Sequence, residues 1–324
     1  MAPVTRFRLD FAGNVKLVAQ WPGDGPGCGQ TGRLSQRIVR SMSAHVLEVL
    51  GGSQANPPHM KAIVLTCDRY RTLTEHMIFK YESLWPDHPF VFHVPFEHSP
   101  PAQSPAIESV QSPPAIKATV LTLLEGLDDE QWVYWCIDDK YPIAFDLRRV
   151  KALVRWISQA DVPDVAGVLF CRDREIRQGR YLTGGSITDD RGHRYLERKG
   201  YEQIWLHQLL RVKVLRHLFG SFPDDIPAAK AMDDLKSQVP KPAAHRLYVT
   251  RHNLAVFGES TSRGRLSQNA YQSIVKHKLT LPDWHSKPPA QTQIIGKLRR
   301  PLILQRLAVT VHGMRPYAAG TYNI

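Results

Sequence analysis

Short apolar runs alternate with longer amphipathic stretches through the middle of the chain. The runs at residues 61–67, 90–94, 132–137 and 165–170 are rich in β-branched and aromatic side chains. Nearly continuous apolar runs of this length predict strands that are buried on both faces of a sheet. Strands separated by amphipathic helical stretches are typical of βαβ units. The pattern therefore predicts an α/β fold with a mostly parallel central sheet flanked by helices.

Several of the intervening stretches carry helix signals. Thr72 and Glu75 have the spacing of a capping box, which predicts a helix beginning at Thr72. After Asp146, apolar residues recur at helical spacing and basic residues occupy the opposite face. Residues 208–219 are also predicted to be helical, with Gly220 marking the end. These helices would cover the two faces of the sheet.

The two ends of the chain depart from this pattern. Residues 1–59 contain two segments rich in Gly and Pro, and the first of them lacks the Gly-Lys-Ser/Thr ending of a P-loop. We therefore interpret residues 1–59 as a flexible, dispensable extension. Residues 60–284 are the predicted functional domain. Residues 285–324 form a C-terminal tail whose structure the pattern does not define.

The charge of the chain points to anionic partners. The 324 residues carry a formal net charge of +12. Such a charge favours nucleotide diphosphates, acidic glycans, anionic lipid surfaces and nucleic acid. The basic residues are spread along the chain, and no helix-turn-helix, zinc-finger or RNA-binding signature is present. Nucleic acid is therefore the least favoured of these partners.

Cysteine usage and hydropathy suggest where the protein works. The four cysteines form no Cys-x-x-Cys pair, so we interpret them as reduced thiols of a cytoplasmic protein. No apolar run approaches the ~20 residues needed to span a bilayer. Arg6, Arg8 and Asp10 interrupt any signal-peptide core. The sequence thus predicts a soluble protein, and peripheral association with an anionic membrane stays open.

The strand predicted at residues 132–137 leads directly into two acids. Asp138 and Asp139 follow it, then Lys140, and Pro142 is expected to prevent any further strand. Open parallel sheets bind ligands at the carboxyl ends of their strands. Adjacent carboxylates repel each other and are costly to desolvate, and a divalent cation would remove both penalties. Oxygen ligands suit Mg²⁺ or Mn²⁺ bridging to substrate phosphates, so Asp138 and Asp139 are the predicted metal ligands.

This strand end resembles the acidic metal motif of GT-A glycosyltransferases. Residues 62–70, Ala-Ile-Val-Leu-Thr-Cys-Asp-Arg-Tyr, also resemble the first strand and loop of bacterial glycosyltransferase-like proteins. The resemblance implies a GT-A-like fold, a nucleotide-sugar donor, a divalent metal (Mn²⁺ or Mg²⁺), and a glycan or lipid-linked acceptor. It further implies that the nucleotide contacts Thr66, Cys67, Asp68, Arg69, Tyr70 and Asp138. The family pattern is Asp-any-Asp, whereas this chain has Asp-Asp-Lys, so the identity of the metal-binding acid and the need for metal stay open.

The resemblance also suggests residues later in the chain. Many GT-A-like enzymes place a catalytic acid at the start of a late helix, and by position Asp225 and Asp233 are the candidates here. A carboxylate there would take a proton from the acceptor hydroxyl. The structural alternatives are a helix cap at Asp225 and a solvated helix face at Asp233. Arg263 and Arg265 lie in a loop where a basic lid would close on the diphosphate. Inverting and retaining mechanisms are both compatible with these residues.

Two other classes of protein are compatible with the same features. A sugar nucleotidyltransferase would use the same metal and diphosphate, but such enzymes open with a Gly-rich loop that residues 66–69 lack. A non-enzymatic polyanion-binding protein would use the net charge and would bind nucleic acid with a steep dependence on salt. The products of the reaction would separate the two enzymes, since a nucleotidyltransferase releases pyrophosphate and a glycosyltransferase releases nucleoside diphosphate.

Overall fold

A computed structural model of the chain describes residues 4–9, 15–20, 59–159, 162–172, 176, 179–226, 229–262 and 265–285. The chain divides into two compact units, Met1–Gln54 and Ala55–Ile324. In the first unit, β1 (Val4–Leu9) pairs antiparallel with β2 (Val15–Gln20). This hairpin lies in the predicted extension, whose dispensability stays a prediction. The C-terminal tail lies almost wholly outside the described residues.

The described part of the second unit contains one large sheet, two small ones and helices. The strands are β3 (Met60–Leu65), β4 (Phe90–Phe96), β5 (Ile107–Gln111), β6 (Trp132–Ile137), β7 (Lys140–Phe145), β8 (Gly167–Leu169), β9 (Leu182–Thr188), β10 (Arg194–Arg198), β11 (Gln208–Arg211), β12 (Leu247–Thr250), β13 (Ala255–Glu259), β14 (Thr261–Ser262) and β15 (Arg265–Leu266). The helices are α1 (Arg71–Leu84), α2 (Ile116–Leu123), α3 (Leu147–Gln159), α4 (Val212–Gly220), α5 (Ala229–Leu235) and α6 (Gln268–Lys276). None of these helices combines the length and the apolar character needed to cross a bilayer.

The large sheet has nine strands in the order β5-β4-β3-β6-β11-β8-β12-β10-β9. Its first four strands are parallel to their neighbours, and β8 is parallel to β12. The other four pairings, β6 with β11, β11 with β8, β12 with β10 and β10 with β9, are antiparallel. The predicted α/β fold is thus confirmed. Its parallel character is concentrated in β5, β4, β3 and β6; helices connect β3 to β4 and β5 to β6, whereas a loop connects β4 to β5.

The direction of winding reverses between β3 and β6. The chain moves outward from β3 to β4 and β5, and then returns through α2 to β6 on the other side of β3. Residues of α1, α3 and α6 share one hydrophobic core, and residues of α2, α4 and α5 share a second. A reversal of this kind opens a crevice outside the carboxyl ends of the two flanking strands, where doubly wound sheets bind ligands.

Strand β6 is buried on both faces, as its sequence predicts. Tyr134 and Cys136 pack into the core that contains α1. Val133, Trp135 and Ile137 alternate with them and pack into the core that contains α2. Successive side chains of a strand point to opposite faces, so an unbroken apolar run is what two covered faces require.

The predicted helix at residues 208–219 is wrong at its beginning. Gln208–Arg211 forms β11, and the helix α4 begins only at Val212. Leu209 and Leu210 are both fully buried, one in each core. A short apolar segment that is covered on both faces has no polar side to reveal its period, so pattern alone does not separate strand from helix.

Strand β7 continues through Pro142, which the sequence suggested would prevent it. β7 belongs to a two-stranded ribbon with β13, and the register of that ribbon shifts between Val256 and Phe257, opposite Pro142. Bulges and edge positions are where a residue without an N–H group fits into a strand. The ribbon extends directly from the Asp138-Asp139 turn.

A chain of buried hydrogen bonds supports the end of β6. His207 Nε2 lies 2.9 Å from the carbonyl oxygen of Ile137, which can only accept, so Nε2 carries the proton. The Nδ1 atom of the neutral ring therefore accepts from the Tyr81 hydroxyl at 2.6 Å. The Tyr81 oxygen in turn accepts from the Tyr134 hydroxyl at 2.8 Å. This arrangement holds the strand end in place with a histidine that must stay neutral.

We expect acid to destabilise the fold through its buried histidines. Burial lowers the pKa of both His76 and His207 to about 3, whereas a histidine in the unfolded chain has a pKa of about 6.5. Between these values only the unfolded chain takes up the proton. The free energy of unfolding is therefore highest above about pH 6.5. It decreases as the pH falls, by about 2 kcal/mol for each of the two histidines at pH 5.

Denaturant unfolding at pH 7 and pH 5 would measure this loss. His76→Gln removes one titrating group, so its drop in free energy of unfolding should be about 2 kcal/mol smaller than that of the wild type. His98→Gln is the matched control because His98 is exposed. An equal drop in all three proteins would contradict the expectation.

Candidate functional site

The carboxyl ends of β3 and β6 lie side by side and bring Thr66 to Asp138. Leu65 and Ile137 are paired in the sheet, and the backbone N–H of Asp138 donates to the Leu65 carbonyl at 3.2 Å. The Thr66 hydroxyl donates to Asp138 Oδ2 at 2.7 Å. The Thr74 hydroxyl, from the first turn of α1, donates to Thr66 Oγ1 at 2.8 Å. Two of the predicted site residues therefore meet, and a hydroxyl relay fixes the Asp138 carboxylate.

The electrostatics of Asp138 are unusual for an aspartate. Burial raises the pKa of Asp138 to about 7, and the neighbouring Asp139 adds to the rise. The hydrogen bond from Thr66 and the nearby Lys140 act in the opposite direction. Such a carboxylate at a strand end favours a compensating cation.

Lys140 lies between two carboxylates. Its Nζ atom is 3.0 Å from Asp139 Oδ1 and 3.3 Å from Glu259 Oε1. Burial alone would lower the pKa of Lys140, but Asp139 and Glu259 raise it above its usual range. The N–H of Ser260 donates to the Asp139 carbonyl at 2.6 Å and ties the acidic turn to the end of β13. The ammonium group thus fixes the orientation of Asp139.

The carboxylate of Asp68 is engaged by the neighbouring loop. It accepts from the backbone N–H groups of Glu97, His98 and Ser99 at 2.9 to 3.1 Å, and from Arg71 at 2.9 Å. Desolvation acts to raise the pKa of Asp68, but these N–H groups together hold it below its usual range. In this structure, Asp68 therefore orders the loop after β4 at the edge of the crevice.

The remaining residues of the first loop differ in exposure. Burial raises the pKa of the Cys67 thiol, and the nearby Asp138 raises it further, so Cys67 is a neutral thiol. Arg69 is exposed. Tyr70 is half-buried and meets the Trp284 ring edge-on, with the ring centroids 5.7 Å apart. Trp284 Nε1 donates to the Arg69 carbonyl at 2.9 Å, so the two aromatic rings form a wall beside the crevice.

The later candidates are not joined to these residues by the contacts that the structure shows. Asp225 is exposed in the connection that follows α4. Asp233 accepts from Trp205 Nε1 at 2.7 Å and pairs with Lys236. Arg265 is exposed on β15, and Arg263 lies outside the described residues. The roles suggested for these four residues therefore stay predictions.

Glu259 and Trp284 are the contributors that the sequence did not reveal as part of the site. Glu259 ends a short apolar strand, and Trp284 marked only the end of the predicted domain. Each contacts a residue at the crevice that is more than a hundred positions away in the chain. A local pattern carries no signal for such a contact.

Asp138 and Asp139 offer an incomplete but suitable set of metal ligands. Among the described residues, no cluster of three or more His, Cys, Asp or Glu side chains could hold a metal by itself. Asp139 Oδ1 is buried and accepts no hydrogen bond, although it lies within the ion pair with Lys140. Mg²⁺ is commonly bound by one or two carboxylates together with substrate phosphates and water. The two acids fit that kind of site, in which the substrate supplies the other ligands.

Comparisons with known proteins give only distant structural matches. No protein-family model and no curated protein matches the chain. A crystal structure of an active-site mutant of LgtC matches with a TM-score of 0.33 and 13% identity, over 69% of this chain and 98% of that chain. A crystal structure of the galactosyltransferase LgtC with donor and acceptor sugar analogues matches with a TM-score of 0.29 and 14% identity, over 59% and 73%.

The chain is thus similar to structures of a glycosyltransferase, the class that the sequence resemblance names.

Proposed function

We propose that this protein is a glycosyltransferase that moves a sugar from a nucleotide-diphosphate donor to a hydroxyl group of a glycan or lipid-linked acceptor. The observation that carries the proposal is the meeting of Thr66, Asp138, Asp139 and Lys140 at the point where the parallel sheet reverses its winding. Ligands of doubly wound sheets bind at such a point. The divalent metal ion that accompanies a nucleotide diphosphate would supply the positive charge that the paired acids need.

Asp138 and Asp139 are the proposed ligands of Mg²⁺ or Mn²⁺. When bound, such an ion would neutralise charge on the diphosphate and so make it a better leaving group. Thr66 orients the Asp138 carboxylate, and Lys140, anchored by Glu259, orients that of Asp139. Holding these groups in place before the substrate arrives avoids a reorganisation cost during the reaction.

The first loop is the proposed nucleoside site. Tyr70 and Trp284 provide an aromatic wall beside the crevice, which suits contact with a flat base. Asp68 supports this surface indirectly, because it holds residues 97–99 in place through three backbone hydrogen bonds. Arg69, in the first loop, and Arg265, on β15, are exposed cations. They are the proposed contacts of the diphosphate, together with Arg263.

Asp225 is the proposed group that activates the acceptor hydroxyl. Asp225 is exposed and available for proton transfer, whereas the Asp233 carboxylate is engaged by Trp205 and Lys236. These contacts favour Asp225 over Asp233 as the base. The net charge of +12 is compatible with an acidic or lipid-linked acceptor at an anionic membrane surface.

Analysis of the reaction products would test the proposed reaction. The protein is incubated with Mn²⁺ and either a panel of nucleotide sugars or pairs of sugar phosphate and nucleoside triphosphate, and nucleoside diphosphate and pyrophosphate are measured separately. Release of nucleoside diphosphate from one donor is the expected result. Release of pyrophosphate from a sugar phosphate and a nucleoside triphosphate would instead identify a sugar nucleotidyltransferase and overturn the proposal.

A further inference from the structure

A second cavity lies at the carboxyl end of β12. It has a volume of about 250 Å³ and is bounded by the start of β10, the first turn of α3 and the turn after β12. Its lining residues with charged or titratable side chains are Arg149, His193, Arg194, Tyr195, Arg251 and His252. A volume of this size is at the lower end of the range for small-molecule sites. It suits a ligand group no larger than about one sugar residue.

The lining of this cavity has an excess of positive charge. Arg149, Arg194 and Arg251 carry permanent charges, and two histidines add further N–H groups. Three acids lie near the lining: Asp146, which is 3.7 Å from Arg149 Nε, Asp189 behind His193, and the exposed Asp190, which acts electrostatically on Tyr195. None of these three carboxylates lines the cavity itself, whereas the three guanidinium groups do. Guanidinium forks match the oxygen geometry of phosphate, so the cavity has the chemistry of an anion site.

One wall of the cavity is rigidly built around Asp189. The Asp189 side chain is only 1% exposed. Its carboxylate accepts from the backbone N–H groups of Arg191 and His193 and from the Tyr195 hydroxyl, at 2.8 to 3.0 Å. Asp189 Oδ2 also lies 2.9 Å from His193 Nδ1, which fixes the orientation of the imidazole ring. The half-buried His193 ring therefore has a fixed orientation, and its other nitrogen, Nε2, is the atom that would contact a ligand.

The cavity is separate from the proposed donor site. Three strand spacings of about 4.8 Å separate β6 from β12, which places the cavity about 14 Å away along the sheet. The ribbon of β7 and β13 joins the two places. Lys140 and Glu259 lie at its donor-site end, and Phe145 and Ala255 lie at its other end, next to the cavity residue Leu254. The ribbon is five residue steps long, at about 3.4 Å per step, so its two ends are about 17 Å apart, which agrees with the distance along the sheet.

We propose that this cavity binds the phosphoryl group of a phosphorylated sugar or lipid. Three guanidinium groups and an oriented imidazole provide several N–H donors around a compact volume, which suits a doubly charged group with several acceptor oxygens. The ligand is bound there without any bond being formed or broken. The inference does not rest on the proposed sugar transfer, since the residues of the cavity are not those of the donor site.

Binding of glucose 6-phosphate, with glucose as the uncharged comparison, tests this proposal. The titrations are done with chelator present, so that metal-dependent binding at Asp138 and Asp139 does not contribute. We expect glucose 6-phosphate to bind and glucose not to bind. The double variant Arg194→Ala/Arg251→Ala should weaken the affinity about tenfold or more, because it removes two charge-assisted contacts. Both side chains are exposed, so the fold should be kept.

Two controls separate this site from other cationic surfaces. Arg191→Ala removes an exposed arginine from the same turn without touching the cavity lining and should leave the affinity unchanged. Asp139→Asn alters only the donor site and should also leave it unchanged. Vesicles containing phosphatidic acid distinguish a lipid headgroup from a soluble sugar phosphate as the source of the phosphoryl group. No binding to either probe, or equal binding by the double variant and the wild type, would overturn the proposal.

Discussion

Replacing Asp138 or Asp139 by asparagine is expected to lower the kcat/KM of sugar transfer by about 10²-fold or more. Each substitution weakens a proposed ligand of the metal ion whose positive charge would offset the negative charge that develops on the diphosphate leaving group, and effects of that size are typical of such groups. Steady-state kinetics with the donor identified in the product analysis would measure the loss.

Stability measurements distinguish this loss from unfolding. Asparagine has the shape of a protonated aspartate, and in Asp138→Asn the side-chain amide oxygen can accept from the Thr66 hydroxyl as the carboxylate does. Because burial raises the pKa of Asp138 to about 7, the neutral side chain should leave the melting temperature in metal-free buffer unchanged or slightly higher. Asp190→Asn is the matched control, since Asp190 is the exposed second acid of another Asp-Asp pair. Full activity in both Asp138→Asn and Asp139→Asn would exclude the proposed role of these acids.

The second large effect is expected from Lys140→Met, which should lower the free energy of unfolding by about 2 kcal/mol. The change keeps the unbranched, apolar part of the side chain but leaves Asp139 and Glu259 without the cation between them. Breaking a fully buried pair costs about 3–5 kcal/mol. The Asp139 side chain is 41% exposed, so solvent screens part of that cost.

Lys151→Met provides the comparison for this change. Lys151 pairs with Asp87 through side chains that are 38% and 69% exposed, so the loss should stay below about 1 kcal/mol. Urea unfolding of the two variants and the wild type would give the difference. Equal stabilities of Lys140→Met and Lys151→Met would show that the buried ammonium does not hold the acidic turn.

Most of the parallel half of the sheet could be predicted from the sequence because three of its strands carry a local signal; the other, β5, is largely exposed and lies in a Ser- and Pro-rich segment without an apolar run. β3, β4 and β6 are apolar runs separated by helical stretches, and β6 is covered on both faces. The antiparallel half could not be predicted in the same way. β11 has four residues and leads directly into α4. No turn residue therefore marks the point where the spacing of apolar residues changes from that of a strand to that of a helix.

The same distinction applies to the candidate site. The hydrogen bond of 2.7 Å between Thr66 and Asp138 required the fold, but both residues lie at the ends of recognisable strands and could be assigned to one site from the sequence. Glu259 and Trp284 could not, because the ribbon of β7 and β13 and the position of the last described residues depend on long-range packing. The structural contacts of Asp68 with residues 97–99 also required the fold, since the sequence only placed Asp68 in the first loop.

A thermal-shift screen of nucleoside diphosphates and nucleotide sugars, each with and without Mn²⁺, tests whether Asp138 and Asp139 form a metal-dependent donor site. A ligand that binds only the folded protein raises the melting temperature. We expect one nucleoside diphosphate or its sugar to raise the melting temperature in the presence of Mn²⁺, and chelator or Asp139→Asn to abolish the rise. No shift with any nucleotide, together with a shift on adding heparin or RNA, would contradict the proposed donor site and make the basic surface the functional one.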